Sequence, residues 1–153
     1  MIATKVFLDT NVLLDIAIPG RPGQLAASRL FKLVCDGDLR AELSASSLKD
    51  FYYITRKTIP EAQRRKWISV FLRAFEVVQL SRSTCQDALA SDEPDFEDGL
   101  IRSMAERTSC DHIISRDARA FVGSCASRLT SEELLVLLLS GDKSIQQSDS
   151  RKA

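Results

Sequence analysis

The sequence predicts a single α/β domain, in which a central, mostly parallel sheet of four to five strands lies between helices. Short apolar runs alternate along the chain with segments whose apolar residues recur at helical spacing. Strands that alternate with helices favour βαβ crossovers and therefore parallel strand pairing. The 153 residues suffice for one domain with a sizeable core. We expect this domain at residues 1–139, followed by a flexible polar tail at residues 140–153.

The first half of the chain opens with its clearest strand, residues 5–8, an apolar run that stops at Asp9. A helix is expected from Asp9 or Thr10, and the Pro- and Gly-rich stretch at residues 19–23 ends it in a loop. Helical periodicity, serine N-caps and a first-turn proline place the helices that follow. The predicted elements are a helix at residues 24–35, a strand at 39–45, a helix at 47–57 and a helix from Pro60.

The second half continues the alternation, and a cap-like stretch at residues 130–133 precedes the last helix. The predicted elements are a strand at residues 75–80, helices at 82–90 and 95–108, a strand at 111–115, a short helix ending near Val122, a strand at 125–129 and a helix that ends at Leu139.

Composition and charge disfavour several classes of protein without excluding nucleic-acid binding. The formal net charge is zero, whereas dedicated nucleic-acid binders usually carry a basic surface. An enzyme that meets RNA through bound cations would instead keep an acidic centre. Four separated cysteines and one histidine offer little for a zinc site, and we expect buried, reduced thiols. The amino terminus lacks a signal-peptide pattern and the longest apolar run is too short to span a membrane, so we expect a cytoplasmic protein without membrane contact.

Four carboxylates are predicted at the ends of elements: Asp9 after the first strand, Asp50 in the third helix, Asp98 in the first turn of the sixth, and Asp117 after the fourth strand. Parallel strands end at one edge of a sheet, where ligands bind in open α/β folds. Carboxylates brought together repel one another unless a cation compensates. Such oxygen ligands suit Mg²⁺ or Mn²⁺, which activate water for phosphoryl chemistry.

Each acid also has a simpler interpretation. Asp9 and Asp117 can cap the helices that follow them. Asp98 and its neighbour Asp95 can be first-turn acids without another role. Asp50 alone can be a solvated helix residue.

Four blocks of sequence resemble the PIN-domain family, in the family's order. Residues 6–15 read Val-Phe-Leu-Asp-Thr-Asn-Val-Leu-Leu-Asp, like the opening of a PIN domain. Residues 44–57 resemble the second block, where an acidic residue on a helix precedes an aromatic, apolar run. Residues 95–100 and 113–121 resemble the third and fourth blocks. The resemblance spans roughly residues 2–139.

The resemblance implies a three-layer α/β/α PIN-like fold and a Mg²⁺- or Mn²⁺-dependent endoribonuclease of the VapC toxin type. It assigns catalysis and metal binding to Asp9, Asp50, Asp98 and Asp117. Thr10, Asn11 and Ser115 would orient these carboxylates or the phosphate, and Asp95 is a reserve acid. The implied partners are an RNA substrate, a cognate antitoxin protein and a second copy of the chain in a homodimer.

The chain departs from the family pattern at two positions. Asp50 stands where the family usually has the longer Glu, and Gly99 where it more often has Ala. The first departure keeps open a non-catalytic PIN-like module that binds RNA or protein. A phosphatase with an aspartyl nucleophile at Asp9 would need a second Asp at position 11, which is Asn.

Two further features of this region have both a functional and a simpler interpretation. Phe51, Tyr52 and Tyr53 offer rings for base stacking, although core or dimer contacts are the simpler reading. A basic run can hold RNA phosphates or form a solvated helix face; it comprises Arg56, Lys57, Arg64, Arg65 and Lys66.

Overall fold

The computed structural model describes residues 3–149, with side chains up to residue 141. Within that range the chain forms five strands and seven α-helices. In order these are β1 (Lys5–Leu8), α1 (Thr10–Ala17), α2 (Gln24–Cys35), β2 (Arg40–Ser44), α3 (Ala45–Ile54), α4 (Glu61–Ala74), β3 (Glu76–Val78), α5 (Arg82–Ala90), α6 (Phe96–Arg107), β4 (His112–Ile114), β5 (Ser127–Leu129) and α7 (Ser131–Asp149).

The strands form one sheet in the order β3-β2-β1-β4-β5, and every pair in it is parallel. β1 is central: Phe7 lies opposite Glu42 of β2 on one side and Ile113 of β4 on the other. The predicted parallel α/β domain is confirmed. All five strands therefore end at the same edge, which follows Leu8 in β1.

Helices cover both faces of the sheet, which gives three layers. Val6 and Leu8 point into a core shared with α1, α2, α3, α4 and α7, whereas Phe7 points into a second core with Met104 of α6. α5 packs on α6 at Gly99, where an added Cβ would lie 3.0 Å from the Cβ of Ala88. Glycine at this position therefore permits the close approach of the two helices.

A buried ion pair lies within the sheet and was not predicted. Lys5 Nζ of β1 lies 2.8 Å from Glu42 Oε1 of β2, and the Glu42 side chain is only 4% exposed. Lys5 also donates to the carbonyl of Thr108, at the end of α6. The hydrogen bond to Glu42 raises the pKa of Lys5, which keeps its charge in place. This contact joins two central strands to the helix that covers them.

Several predicted boundaries are wrong. The short helix ending near Val122 is absent from the described residues, where turns connect β4 to β5. α3 ends at Ile54 and continues as a 3₁₀ turn at Thr55–Lys57. α7 does not end at Leu139 but runs to Asp149. The flexible tail at residues 140–153 stays a prediction, and its last four residues lie outside the described range.

The cysteines are free, but only Cys110 is buried; Cys35 and Cys125 are exposed, contrary to expectation. Among residues 3–149, no helix is both long enough and apolar enough to cross a membrane.

The Lys5–Glu42 pair gives a prediction about stability. Lys5→Met leaves the Glu42 carboxylate buried without its cation, and we expect a loss of about 3 kcal/mol in the free energy of unfolding. The double variant Lys5→Met/Glu42→Leu removes both charges and should regain most of that loss. Urea denaturation of the three proteins measures both effects. A Lys5→Met protein as stable as the parent would contradict this account.

Candidate active site

A cleft of about 630 Å³ opens where the strands end, between α3 and the start of α6. All four acids singled out in the sequence line it: Asp9, Asp50, Asp98 and Asp117. Thr10, Asn11 and Asp95 line it as well, together with the unpredicted Glu97 and Lys49. The parallel sheet therefore gathers residues that lie more than a hundred positions apart in the chain.

Asp9 is the most enclosed of the four, with 9% of its surface exposed. Its N–H donates to the carbonyl of Ile114 at 3.0 Å, which continues the β1–β4 ladder. Its Oδ1 accepts from the Thr10 N–H at 2.7 Å, and its Oδ2 accepts from the Ser115 hydroxyl at 2.8 Å. Burial raises the pKa of Asp9 against these two hydrogen bonds, and the charge of Asp117 raises it further. Asp9 thus caps α1 and also faces the other acids.

Asp98 is half-buried in the first turn of α6. Burial raises its pKa to about 6, and negative charges nearby add to the shift. These charges belong to Asp9, Asp95, Asp117 and Glu93. We refer to Asp9, Asp98 and Asp117 as the acid cluster, since the charges of Asp9 and Asp117 raise the pKa of Asp98 and the charge of Asp117 also raises the pKa of Asp9.

Asp95 has a structural task at the start of α6. Its Oδ1 accepts from the Glu97 N–H at 2.7 Å and from the Asp98 N–H at 3.1 Å, so it is the N-cap of that helix. This cap fixes the backbone that presents Asp98. Glu97 and Asp98 both line the cleft, but Glu97 is exposed and Asp98 is half-buried.

Asp117 follows β4 on a loop that polar contacts hold. Its N–H donates to the Ser115 hydroxyl at 3.1 Å, and its carboxylate accepts from the Arg119 N–H at 2.9 Å. The neighbouring Arg116 lies 3.1 Å from the carboxylate of Asp15 in α1, a side chain that is 3% exposed. This buried anchor ties the loop after β4 to the helix after β1, so it positions Asp117 relative to Asp9.

Asp50 lies on the α3 side of the cleft and differs from the other three. Its side chain is 41% exposed, and the Lys49 ammonium lies 3.9 Å away. Asp50 therefore contributes to the wall of the cleft, and its role as a ligand stays a prediction.

The three predicted supporting residues take different positions. Ser115 is 1% exposed and joins two acids, because its hydroxyl donates to Asp9 and accepts from the Asp117 N–H. The Thr10 hydroxyl donates to Ser47 of α3 at 2.9 Å, so it holds the two walls together. Asn11 lines the cleft.

The donor set fits a divalent cation in its chemistry. Burial and mutual repulsion raise the pKa of Asp9 and Asp98, and a bound cation would relieve both. In their present conformations, no three acidic, histidine or cysteine side chains among the described residues converge closely enough to form a coordination shell. The acid cluster is therefore a set of candidate ligands.

Glu93 is a contributor that the sequence did not reveal. Its side chain is 2% exposed, pairs with Arg102 at 3.3 Å and accepts from the Phe121 N–H at 3.0 Å. It fastens the loop after β4 to α6 and adds negative charge beside Asp98. Glu93 was not predicted because it lies in a polar loop, where the local sequence does not distinguish a buried, paired glutamate from a solvated one.

Comparison with known proteins identifies a family for this chain. A family model for the PIN domain matches residues 5–119, most of the chain. No curated protein sequence matches it.

Solved structures share the fold at low sequence identity. A toxin–antitoxin complex from Klebsiella pneumoniae matches with a TM-score of 0.63 and 19% identity, over 82% of this chain and 97% of that one. VapC20 of Mycobacterium tuberculosis, a toxin that cleaves the sarcin-ricin loop, matches with a TM-score of 0.60 and 13% identity, over 73% and 89%. VapBC2 from Rickettsia felis, bound to promoter DNA, matches with a TM-score of 0.60 and 14% identity, over 83% and 98%. Because the family model matches well over half of the chain, this protein belongs to the PIN-domain family.

Proposed function

We propose that this protein is a metal-dependent endoribonuclease that hydrolyses RNA phosphodiester bonds. The observation that carries the proposal is the acid cluster, in which Asp9, Asp98 and Asp117 face one cleft at the end of the sheet. Membership of the PIN-domain family and the likeness in fold to VapC toxins support it.

In this proposal the acid cluster, together with Asp50, holds Mg²⁺ or Mn²⁺. When bound, such an ion supplies an acidified water and neutralises the charge of the phosphate. The protein's own part is to hold the carboxylates in place. The Ser115 hydroxyl and the Thr10 N–H fix the two oxygens of Asp9. Asn11 offers an amide to the substrate phosphate from the wall of the cleft.

The proposed partners follow from the relatives. Two of the matching structures are toxin–antitoxin assemblies, which supports a role as the toxin of a type II pair with a cognate antitoxin. We also propose a homodimer and a cytoplasmic location. A gene for a small DNA-binding protein next to this one would support the pairing.

An alternative is a PIN domain that binds RNA or protein without cutting. The position of Asp50 favours it: this side chain is shorter than the family's Glu and is 41% exposed beside Lys49. A weak fourth ligand would reduce metal occupancy and leave a fold without activity.

The first test is cleavage. Asp9→Asn and Asp98→Asn each remove a charge from the acid cluster while keeping its size, and we expect RNA cleavage to fall roughly 100-fold or more. Asp38→Asn is the matched control, since Asp38 is exposed and precedes β2 at the opposite edge of the sheet. Cleavage of a labelled RNA in Mg²⁺ measures the effect. An Asp9→Asn protein as active as the parent would refute the assignment.

The second test separates the enzyme from the non-catalytic alternative. Isothermal titration with Mn²⁺ should show binding to the parent and a clear loss of affinity in Asp98→Asn. Asp50→Asn should weaken binding less, because Asp50 is the more exposed ligand. If the parent does not bind Mn²⁺, the alternative becomes the better description.

The third test uses pH and needs no substrate. The folded pKa of Asp98 is about 6, above the ordinary value of 3.8, so folding favours its protonated form. The stability that the protonated carboxyl of Asp98 gives, compared with the charged form, is fully present below pH 3.8 and is lost as pH rises through about 6. In EDTA, Asp98→Asn should therefore raise Tm relative to the parent more at pH 7.5 than at pH 5. Thermal unfolding followed by circular dichroism measures this.

Glu97→Gln is the control for this pH experiment, because it removes an exposed acid from the same turn of α6. Added Mn²⁺ should raise the Tm of the parent at pH 7.5 by relieving the same repulsion. If Asp98→Asn raised Tm by the same amount at the two pH values, the charge of Asp98 would not destabilise the fold, and this account would be wrong.

A further inference from the structure

The cleft that holds the acid cluster has an exposed apolar rim. Four large side chains that line it remain accessible: Tyr53 is 62% exposed, Ile54 49%, Phe96 46% and Leu80 40%. We call these four residues the apolar rim. Apolar surface gathered around one polar cleft marks a binding site better than scattered exposed side chains do.

The three consecutive aromatic residues of α3 have three different surroundings. Phe51 is fully buried and packs edge-to-face on Phe71, with ring centroids 5.1 Å apart. Tyr52 donates its hydroxyl to Glu61 at 2.8 Å and lines a separate groove between α3 and α4. Only Tyr53 of the three lines the cleft. The 100° step between helical residues accounts for this separation, and it removes two of the three candidates for base stacking.

The ring of Tyr53 is held in position beside the acids. Tyr53 lies three residues after Asp50, on the same face of α3. The Arg56 guanidinium lies 3.8 Å from the ring centroid and donates to the Tyr53 carbonyl at 2.8 Å. This contact occupies one face of the ring and leaves the residue mostly exposed. The Tyr53 ring is therefore held in place by a cation on one face, and its other face can stack on a ligand.

The charges around the Tyr53 ring suit a nucleotide. In the absence of a cation, the acid cluster repels the phosphates of a nucleic acid. A nucleobase is neutral, so it can approach the Tyr53 ring without this repulsion. Lys49, which is 80% exposed, and Arg56 place positive charge near Tyr53 for the backbone of the same strand. A ring, two cations and an apolar rim form a combination that binds single strands.

From this arrangement we propose that Tyr53 stacks on an unpaired nucleobase of the substrate and positions single-stranded RNA over the acid cluster. A duplex hides the faces of its bases, and a side chain reads A-form RNA mainly by shape and backbone. The rim therefore selects loops and single strands over paired segments. This inference rests on the proposed ribonuclease function, and Tyr53 is a positioning residue within it.

The test uses a single-stranded RNA oligonucleotide that carries 2-aminopurine, and the Asp9→Asn protein in Mg²⁺. Binding should quench the fluorescence of a base stacked on Tyr53. Tyr53→Leu, added to Asp9→Asn, should remove the quench and weaken binding roughly tenfold or more, whereas Tyr53→Phe should keep both because it retains the ring. In the cleavage-competent protein, Tyr53→Leu should raise KM for single-stranded RNA more than it lowers kcat.

Tyr52→Leu is the matched control, because Tyr52 also carries an arginine over its ring, Arg64 at 4.2 Å, but lies outside the cleft. It should bind the oligonucleotide as the parent does. Circular dichroism confirms that each variant is folded, and Mn²⁺ affinity should match the parent in Tyr53→Leu.

The outcomes separate this inference from the proposed function. Unchanged RNA affinity in Tyr53→Leu, or equal affinity for a duplex of the same sequence, overturns the stacking role and assigns the exposed ring to a protein contact. Equal losses in Tyr52→Leu and Tyr53→Leu also overturn it. Cleavage by Asp9→Asn at the parent's rate would instead refute the catalytic assignment of Asp9, and the absence of RNA cleavage by the parent would refute the proposed function; the binding comparison would stand in either case.

Discussion

The parallel pairing of β1 with a strand on each side is the constraint on which the site depends. It brings Leu8, Leu43 and Ile114 level with one another, so the residues after them emerge together. The ladder continues past the strands through the Asp9 N–H to Ile114 and the Ser115 N–H to Leu129, both at 3.0 Å. The backbones of the first acid and of its hydroxyl partner are therefore fixed by sheet hydrogen bonds, independently of the contact between their side chains.

The acids of the cluster face one another without a cation between them, whereas buried acids elsewhere in the domain are paired with basic side chains. Arg116 reaches Asp15, Arg102 reaches Glu93, and Lys5 reaches Glu42, each with a partner carboxylate that is at most 4% exposed. Two of these pairs anchor the loops that carry or flank Asp117, and the third joins the central strands. These three cations are thus paired outside the acid cluster, which leaves the carboxylates of Asp9, Asp98 and Asp117 available for an external ion.

The sequence predicts the regular elements closely because their periodicity is local: residues 5–8, 24–35 and 82–90 match the observed bounds of β1, α2 and α5. It fails where distant groups decide. The helix expected near Val122 is replaced by turns in which Phe121, at φ 66°, is held by Glu93 from another loop. The buried Glu42 looks like a solvated strand residue until its partner on β1 is known.

At the site, the sequence placed all four acids in one cleft only through the parallel topology and the family resemblance. It could not rank them by exposure, since the accessibility of Asp50 and the burial of Asp9 depend on packing between elements. Nor did it assign different roles to Tyr52 and Tyr53, because the groove that holds Tyr52 is formed only when α4 packs beside α3, whereas Tyr53 remains at the cleft.

The hydroxyl contact between Thr10 and Ser47 makes the cleft a mechanically coupled unit. Thr10 gives its N–H to Asp9 and its side chain to the first turn of α3, the helix that carries Asp50 and Tyr53. Outward movement of α3 must therefore break this 2.9 Å contact or pull on the residue that orients Asp9. As long as this contact holds, the width of the cleft and the orientation of its innermost carboxylate change together.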